Sequence, residues 1–225
     1  MASDEARAVG PDEVRAVGPD QARVATSGEK GRSVSENWSK SGNAGAFADH
    51  TIESAPAGAR RFMAATRDHL GYLPAAVARM AASPHLLDGF GRLTAIFGGS
   101  TLDPVAREVV VMTIATRNGC HVCVAMHTAA LTALGADAQL IDALRSAGPL
   151  ADERLDALRV FTLRLLDTAG DVGDEALQAF LDSGYTTQNA LEVVLGIGTY
   201  TMSTLANRLT GAPIEDPLRG FAWSA

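Results

Sequence analysis

A chain of 225 residues suits one domain with a tail, or two very small domains, and its 47% apolar content is enough for a sizeable core. Aromatics are only 5%, so alanine, leucine and valine must fill that core, a composition that favours helices over a sandwich or barrel. The net charge of −7, with Lys30 and Lys40 as the only lysines and no basic run interleaved with aromatics, argues against nucleic acid as a partner and mainly serves solubility.

In chain order, residues 1–46 read as a disordered low-complexity tail. Arg7–Val14 (RAVGPDEV) and Arg15–Ala22 (RAVGPDQA) form a near-repeat whose Gly-Pro steps stop a helix, and a Ser/Gly/Asn-rich stretch follows. Trp38 is the one tail residue with the means to dock on a folded body. The opening Met-Ala-Ser-Asp-Glu has no apolar run, so no signal peptide is expected.

Residues 47–225 read as a helical domain. A first helix with Phe62, Met63, Ala65 and Leu70 as apolar positions breaks at Gly71-Tyr72-Leu73-Pro74. Ser83-Pro84 and Asp103-Pro104 each place a capping side chain before a proline at the first helical position. Gly98-Gly99 ends the helix between them, and Asn118-Gly119 is a turn. Val109-Val110-Val111 is β-branched but sits in a helical-length window, so it reads as buried helix. Gly135, Gly148 and Gly170 punctuate later helices. Thr186 or Thr187 opens a long apolar helix that Gly211 closes. Within it, Ala190–Ala206 carries Glu192 as its only charge; it falls short of the roughly 20 apolar residues that span a bilayer and contains several Thr and Ser, so a buried central helix is expected rather than a membrane segment. Gly196 and Gly198 would permit close helix packing. No stretch alternates long enough for a strand, and the expectation is an all-α bundle of roughly eight helices.

The chemistry concentrates on Glu108, Cys120, Cys123 and His127. The two cysteines are the only ones in the chain, and a lone close pair fits a reducing compartment better than a disulfide framework does. At i and i+3 they share one helix face, and His127, four residues beyond Cys123, shares it too. On a straight helix Glu108 would lie about 18 Å from Cys120. A hairpin through Asn118-Gly119 reflects it instead onto position 129, half a turn from His127. A thiolate is the nucleophile, an imidazole accepts its proton, and a carboxylate behind the imidazole orients it. Zinc on the same four side chains is the competing reading, weakened by the absence of a second Cys or His cluster.

The pattern Glu, eleven residues, Cys, two residues, Cys, three residues, His resembles the alkylhydroperoxidase D-like branch of the carboxymuconolactone decarboxylase family. Gly71-Tyr72-Leu73-Pro74 and Ser83-Pro84-His85-Leu86-Leu87 also look like that family's entry helices, and the likeness runs from about Arg60 to Pro217. It implies an alkylhydroperoxidase D-like helical bundle assembled as trimers or hexamers. It implies a peroxidase or disulfide-reductase cycle, antioxidant in effect, with no cofactor or bound metal. In that cycle Cys123 attacks the peroxide, Cys120 resolves the sulfenic acid to a disulfide, and Glu108 with His127 forms the proton relay. A thiol donor, for which a lipoyl or thioredoxin-type protein is the candidate, would restore the dithiol. The helix dipole favours a thiolate at Cys120, nearer the helix start, whereas the His127 spacing favours Cys123, to which the attack is assigned. One departure stands out. The family places a histidine directly before the second cysteine, where this chain has Val122, and His121 directly follows the first, on a different helix face. A cytoplasmic location and no membrane association complete the expectation. Two alternatives stay beside it: a lactone decarboxylase as in the name-giving branch, whose chemistry needs no cysteine pair, and a non-enzymatic zinc-stabilised oligomeric module.

Overall fold

A computed structural model describes residues 45–224. All but the last two positions of the tail, Trp38 included, lie outside the described residues. These contain nine α-helices, a 3₁₀ segment near the C-terminus and no strand. The helices are α1 (Ala57–Leu70), α2 (Ala75–Met80), α3 (Pro84–Gly98), α4 (Pro104–Arg117), α5 (His121–Ala133), α6 (Ala138–Arg145), α7 (Glu153–Asp167), α8 (Asp174–Asp182) and α9 (Thr187–Thr210), followed by the 3₁₀ segment Asp216–Phe221. The all-α expectation holds. The described residues hold nine α-helices where roughly eight were expected.

Local chemistry sets the boundaries. Ser83 and Asp103 accept from the amides of Leu86 and Ala106, each ahead of a proline at the first helical position. Thr186 and Asn189 form a reciprocal capping box at the start of α9, and Gly211 ends that helix at φ 62°. Gly71 ends α1 at φ 80°. After α6 the left-handed position is Ala147 at φ 54° rather than Gly148, and after α7 it is Ala169 at φ 51° together with Gly170.

Helix α4 is the central element, with Val109, Val110, Val111, Met112, Ile114 and Ala115 all buried and with α5, α6, α7 and α9 packed around it. The β-branched run is therefore core helix, as its length implied. The charged residue of the apolar α9 segment, Glu192, accepts from the Thr101 amide and hydroxyl and so ties α9 to the α3–α4 connection. The C-terminal segment is clamped to α5 and α6: Arg145 donates to Thr128 Oγ1 and to the Phe221 and Ala222 carbonyls, and Trp223 Nε1 donates back to the Arg145 carbonyl. No helix among the described residues is long and apolar enough to cross a membrane.

The two glycines of α9 differ. A Cβ on Gly196 would stand 2.7 Å from the Phe97 ring and 3.1 Å from Val110 Cγ1, so its absence lets α9 close onto α3 and α4. Gly198 meets nothing within 4 Å, and the expected packing role is absent there. Phe97 is fully buried and has no room to yield. Gly196→Ala should therefore lower stability by about 1–3 kcal/mol through overpacking, which urea denaturation of the variant checks.

Candidate active site

The site begins with the α4–α5 connection. Asn118 caps α4, Gly119 takes the left-handed conformation at φ 62°, and the Cys120 amide reaches back to the Ala115 carbonyl at 2.9 Å. This is the closure of a helix that ends on a left-handed glycine. Cys120 is at once the last closing residue of α4 and the N-cap of α5. Two bonds from α9 hold the bend: Asn118 Nδ2 donates to Thr204 Oγ1 at 2.9 Å, and Arg208 Nη1 donates to the Asn118 carbonyl.

Cys120 and Cys123 are joined as a disulfide, their Cα atoms 5.3 Å apart, and both residues are buried. The pair occupies the first turn of α5, where unpaired backbone amides give a partial positive charge. One turn further on, His127 Nδ1 lies 2.8 Å from Glu108 Oε2, with less than a fifth of either side chain exposed. The ring N–H donates to the carboxylate, which leaves Nε2 as the nitrogen able to take or give a proton. The hairpin thus sets Glu108 of α4 beside His127 of α5. The four residues singled out from the sequence stand as two bonded pairs on one helix hairpin. With the sulfurs bonded to each other, neither is a thiolate donor to zinc in this state. Among the described residues no group of three or more His, Cys, Asp and Glu side chains is arranged to hold a metal ion.

Helix α9 supplies what the sequence reading missed. The Tyr200 ring stands edge-on to the His127 ring, with centroids 5.4 Å apart. Burial pushes its phenol up to about 12, and the nearby Glu108 carboxylate adds to that while Arg107 opposes it. Asn207 Nδ2 lies 3.3 Å from Cys123 Sγ. The available signal was the set of polar residues in an otherwise apolar helix. Tyr200, Ser203 or Thr204, and Asn207 recur at steps of three and four, the spacing of one helix face. His121, at the first position of α5, is half-buried. Burial lowers its imidazole below the ordinary histidine value and Arg208 adds to this, against a hydrogen bond with the Ala212 backbone. Its contacts are with the end of α9, not with Glu108.

The resemblance read from the sequence is borne out. The model of the carboxymuconolactone decarboxylase family matches residues 82–162, a span that holds all four motif residues. The fold is similar to that of a protein described as an alkylhydroperoxidase AhpD core, an uncharacterized peroxidase-related protein from Ralstonia eutropha JMP134, at 18% identity, a TM-score of 0.69 and coverage of 76% of this chain and 93% of that one. It is also similar to an uncharacterized peroxidase-related protein from Silicibacter sp. TM1040, at 18% identity, a TM-score of 0.66 and coverage of 77% and 93%. A variant of the debrominase Bmp8, in complex with 2,3,4-tribromopyrrole, matches at 17% identity and a TM-score of 0.58, with coverage of 72% and 87%. No curated protein matches the sequence.

Tyr200 and Tyr185 both have phenols raised by burial to about 12. A folded-state value above the unfolded value of about 10 stabilises the fold fully below pH about 10, and that stabilisation is lost as pH rises through about 12. Stability measured by urea denaturation should therefore decline across this window. Tyr200→Phe, which cannot ionise, should reduce the decline by about 2–3 kcal/mol.

Proposed function

We propose that this chain, carrying a carboxymuconolactone decarboxylase family region around its cysteine pair, is a peroxidase or disulfide oxidoreductase working through a Cys120/Cys123 dithiol–disulfide cycle. The observation that carries the reading is the Glu108–His127 hydrogen bond, placed one helical turn beyond Cys123 of a bonded cysteine pair. In the reduced protein His127 takes the Cys123 proton. The thiolate attacks the terminal oxygen of a hydroperoxide, the O–O bond breaks, and the alkoxide leaves with the proton from His127. Cys123 is then a sulfenic acid. Cys120 attacks its sulfur, water leaves, and the disulfide seen here forms. A dithiol donor, of the lipoyl or thioredoxin class, reopens it by exchange and leaves as a disulfide itself. Overall one hydroperoxide and two donor thiols become an alcohol, water and a donor disulfide. Such a cycle needs a compartment rich in reduced thiols, which makes the cytoplasm its setting.

Glu108 keeps the imidazole in the tautomer whose Nε2 is free, which is the orientation a proton relay needs. On addition of one equivalent of hydroperoxide to the reduced protein, intact mass should fall by two hydrogens and both thiols should be consumed. Cys123→Ser should abolish turnover, Cys120→Ser should stall after one oxidation, and Glu108→Gln should slow the oxidation by about 10²–10⁴-fold. Full peroxide activity in both cysteine variants would overturn the cycle.

We also propose that the protein is a homo-oligomer, trimeric or hexameric as the resemblance implies, with α9 at its subunit contact. Leu191, Val194, Leu205 and Leu209 are 72%, 49%, 58% and 57% exposed, and they recur along the face of α9 turned away from α4. A run of aliphatic side chains over most of a 24-residue helix is the kind of surface a second copy covers. Leu205→Glu should dissociate the assembly in sedimentation velocity; a wild-type monomer at micromolar concentration would remove this proposal.

A further inference from the structure

Asn207 is an expensive residue where it stands. It is 5% exposed, and its Oδ1 atom has no hydrogen-bond partner. Its Nδ2 donates only to Cys123 Sγ, at 3.3 Å. A buried acceptor without a partner is destabilising. A disulfide sulfur is a weak acceptor, so in the oxidised protein the contact offsets little of that cost. A thiolate is a strong acceptor, and an N–H bonded to it favours the charged form. The amide is matched to the reduced state of the site rather than to the disulfide.

Its position is fixed from both sides. The Asn207 carbonyl accepts from the Ala212 amide at 3.0 Å, in the closure of α9 around Gly211. The bend that opens α5 is held by the same end of α9, through Asn118 Nδ2 on Thr204 Oγ1 and Arg208 Nη1 on the Asn118 carbonyl. The end of α9 is thereby tied to the start of α5, which holds the amide against the second sulfur. Cys120, as N-cap, makes no side-chain capping bond. The two sulfurs share the start of one helix, but one of them alone has a buried amide donor.

We propose that Asn207 is a catalytic residue of this site, the donor that stabilises the Cys123 thiolate and makes Cys123 rather than Cys120 the nucleophile. The assignment rests on the dithiol reading above. It is tested with single-cysteine proteins, in which one thiol titrates alone, by following thiolate absorbance in the ultraviolet. In Cys120→Ser, adding Asn207→Leu should raise the Cys123 midpoint by about one pH unit, a tenfold loss of thiolate at fixed pH below it. The rate with hydrogen peroxide should fall by a similar factor. In Cys123→Ser the same substitution should leave the Cys120 midpoint where it was. Asn207→Leu fills the volume and removes the unpartnered oxygen, so its denaturation midpoint should match or exceed that of the parent. Should it not fold, Asn207→Ala removes the donor without adding a charge and carries the same titration. A Cys123 midpoint that does not move, or movement of both cysteines alike, would overturn the assignment. The redox reading fails separately: a Cys120→Ser protein that ignores peroxide, with a midpoint still set by Asn207, removes the cycle and keeps the donor.

Discussion

A carboxylate inside a helical bundle is tolerable only when something nearby answers its charge, and here the Glu108–His127 hydrogen bond does so. That contact depends on the bend at Asn118-Gly119. Without a left-handed residue there, α4 and α5 would not fold back at this register, and Glu108 would face a different residue of α5. Gly119 supplies the φ of 62°, and Arg208 and Thr204 of α9 hold the bend from outside. The turn, the hairpin and the carboxylate–imidazole pair are therefore a single construction. A change at any one of them displaces the carboxylate–imidazole pair from the cysteines.

The same bend decides where the sulfurs sit. Because the closing turn of α4 runs directly into the N-cap of α5, Cys120 is fixed by two helices at once, and Cys123 follows within the first turn. Two residues between the cysteines bring their Cα atoms to 5.3 Å, within ordinary disulfide geometry, and the backbone around them lies in the buried core. Burial limits which partners reach the sulfurs, and it removes the water that would screen the helix dipole and the Asn207 amide.

Much of this was legible in the sequence because it is local. Ser83, Asp103, Thr186, Gly71 and Gly211 act on residues within a few positions of themselves, and the reflection that sets Glu108 against His127 needs only one turn and two helical periods. What stayed hidden depends on long-range register. Asn207 meets Cys123 across 84 residues, and nothing within α9 states which of its faces turns toward α5. Gly196 and Gly198 make the same point: two positions apart in one helix, one faces a buried phenylalanine and the other open space. Periodicity shows that a helix has faces. Only packing assigns them to neighbours.

Helix α9 then has two duties that conflict in composition. The inner face carries Tyr200 and Asn207 toward α5 and buries Ser203 beside them, polar groups that a core helix would ordinarily exclude. Its outer face carries Leu191, Val194, Leu205 and Leu209, apolar groups that a monomeric surface helix would ordinarily exclude. A helix polar within and apolar without is inverted relative to a simple soluble domain. The inversion makes sense if chemistry sits on the inside and another subunit on the outside. On this view an assembly covering the outer face would also stiffen the helix that holds Asn207 and Tyr200 in place, so that association and the electrostatics of the sulfur site share one element.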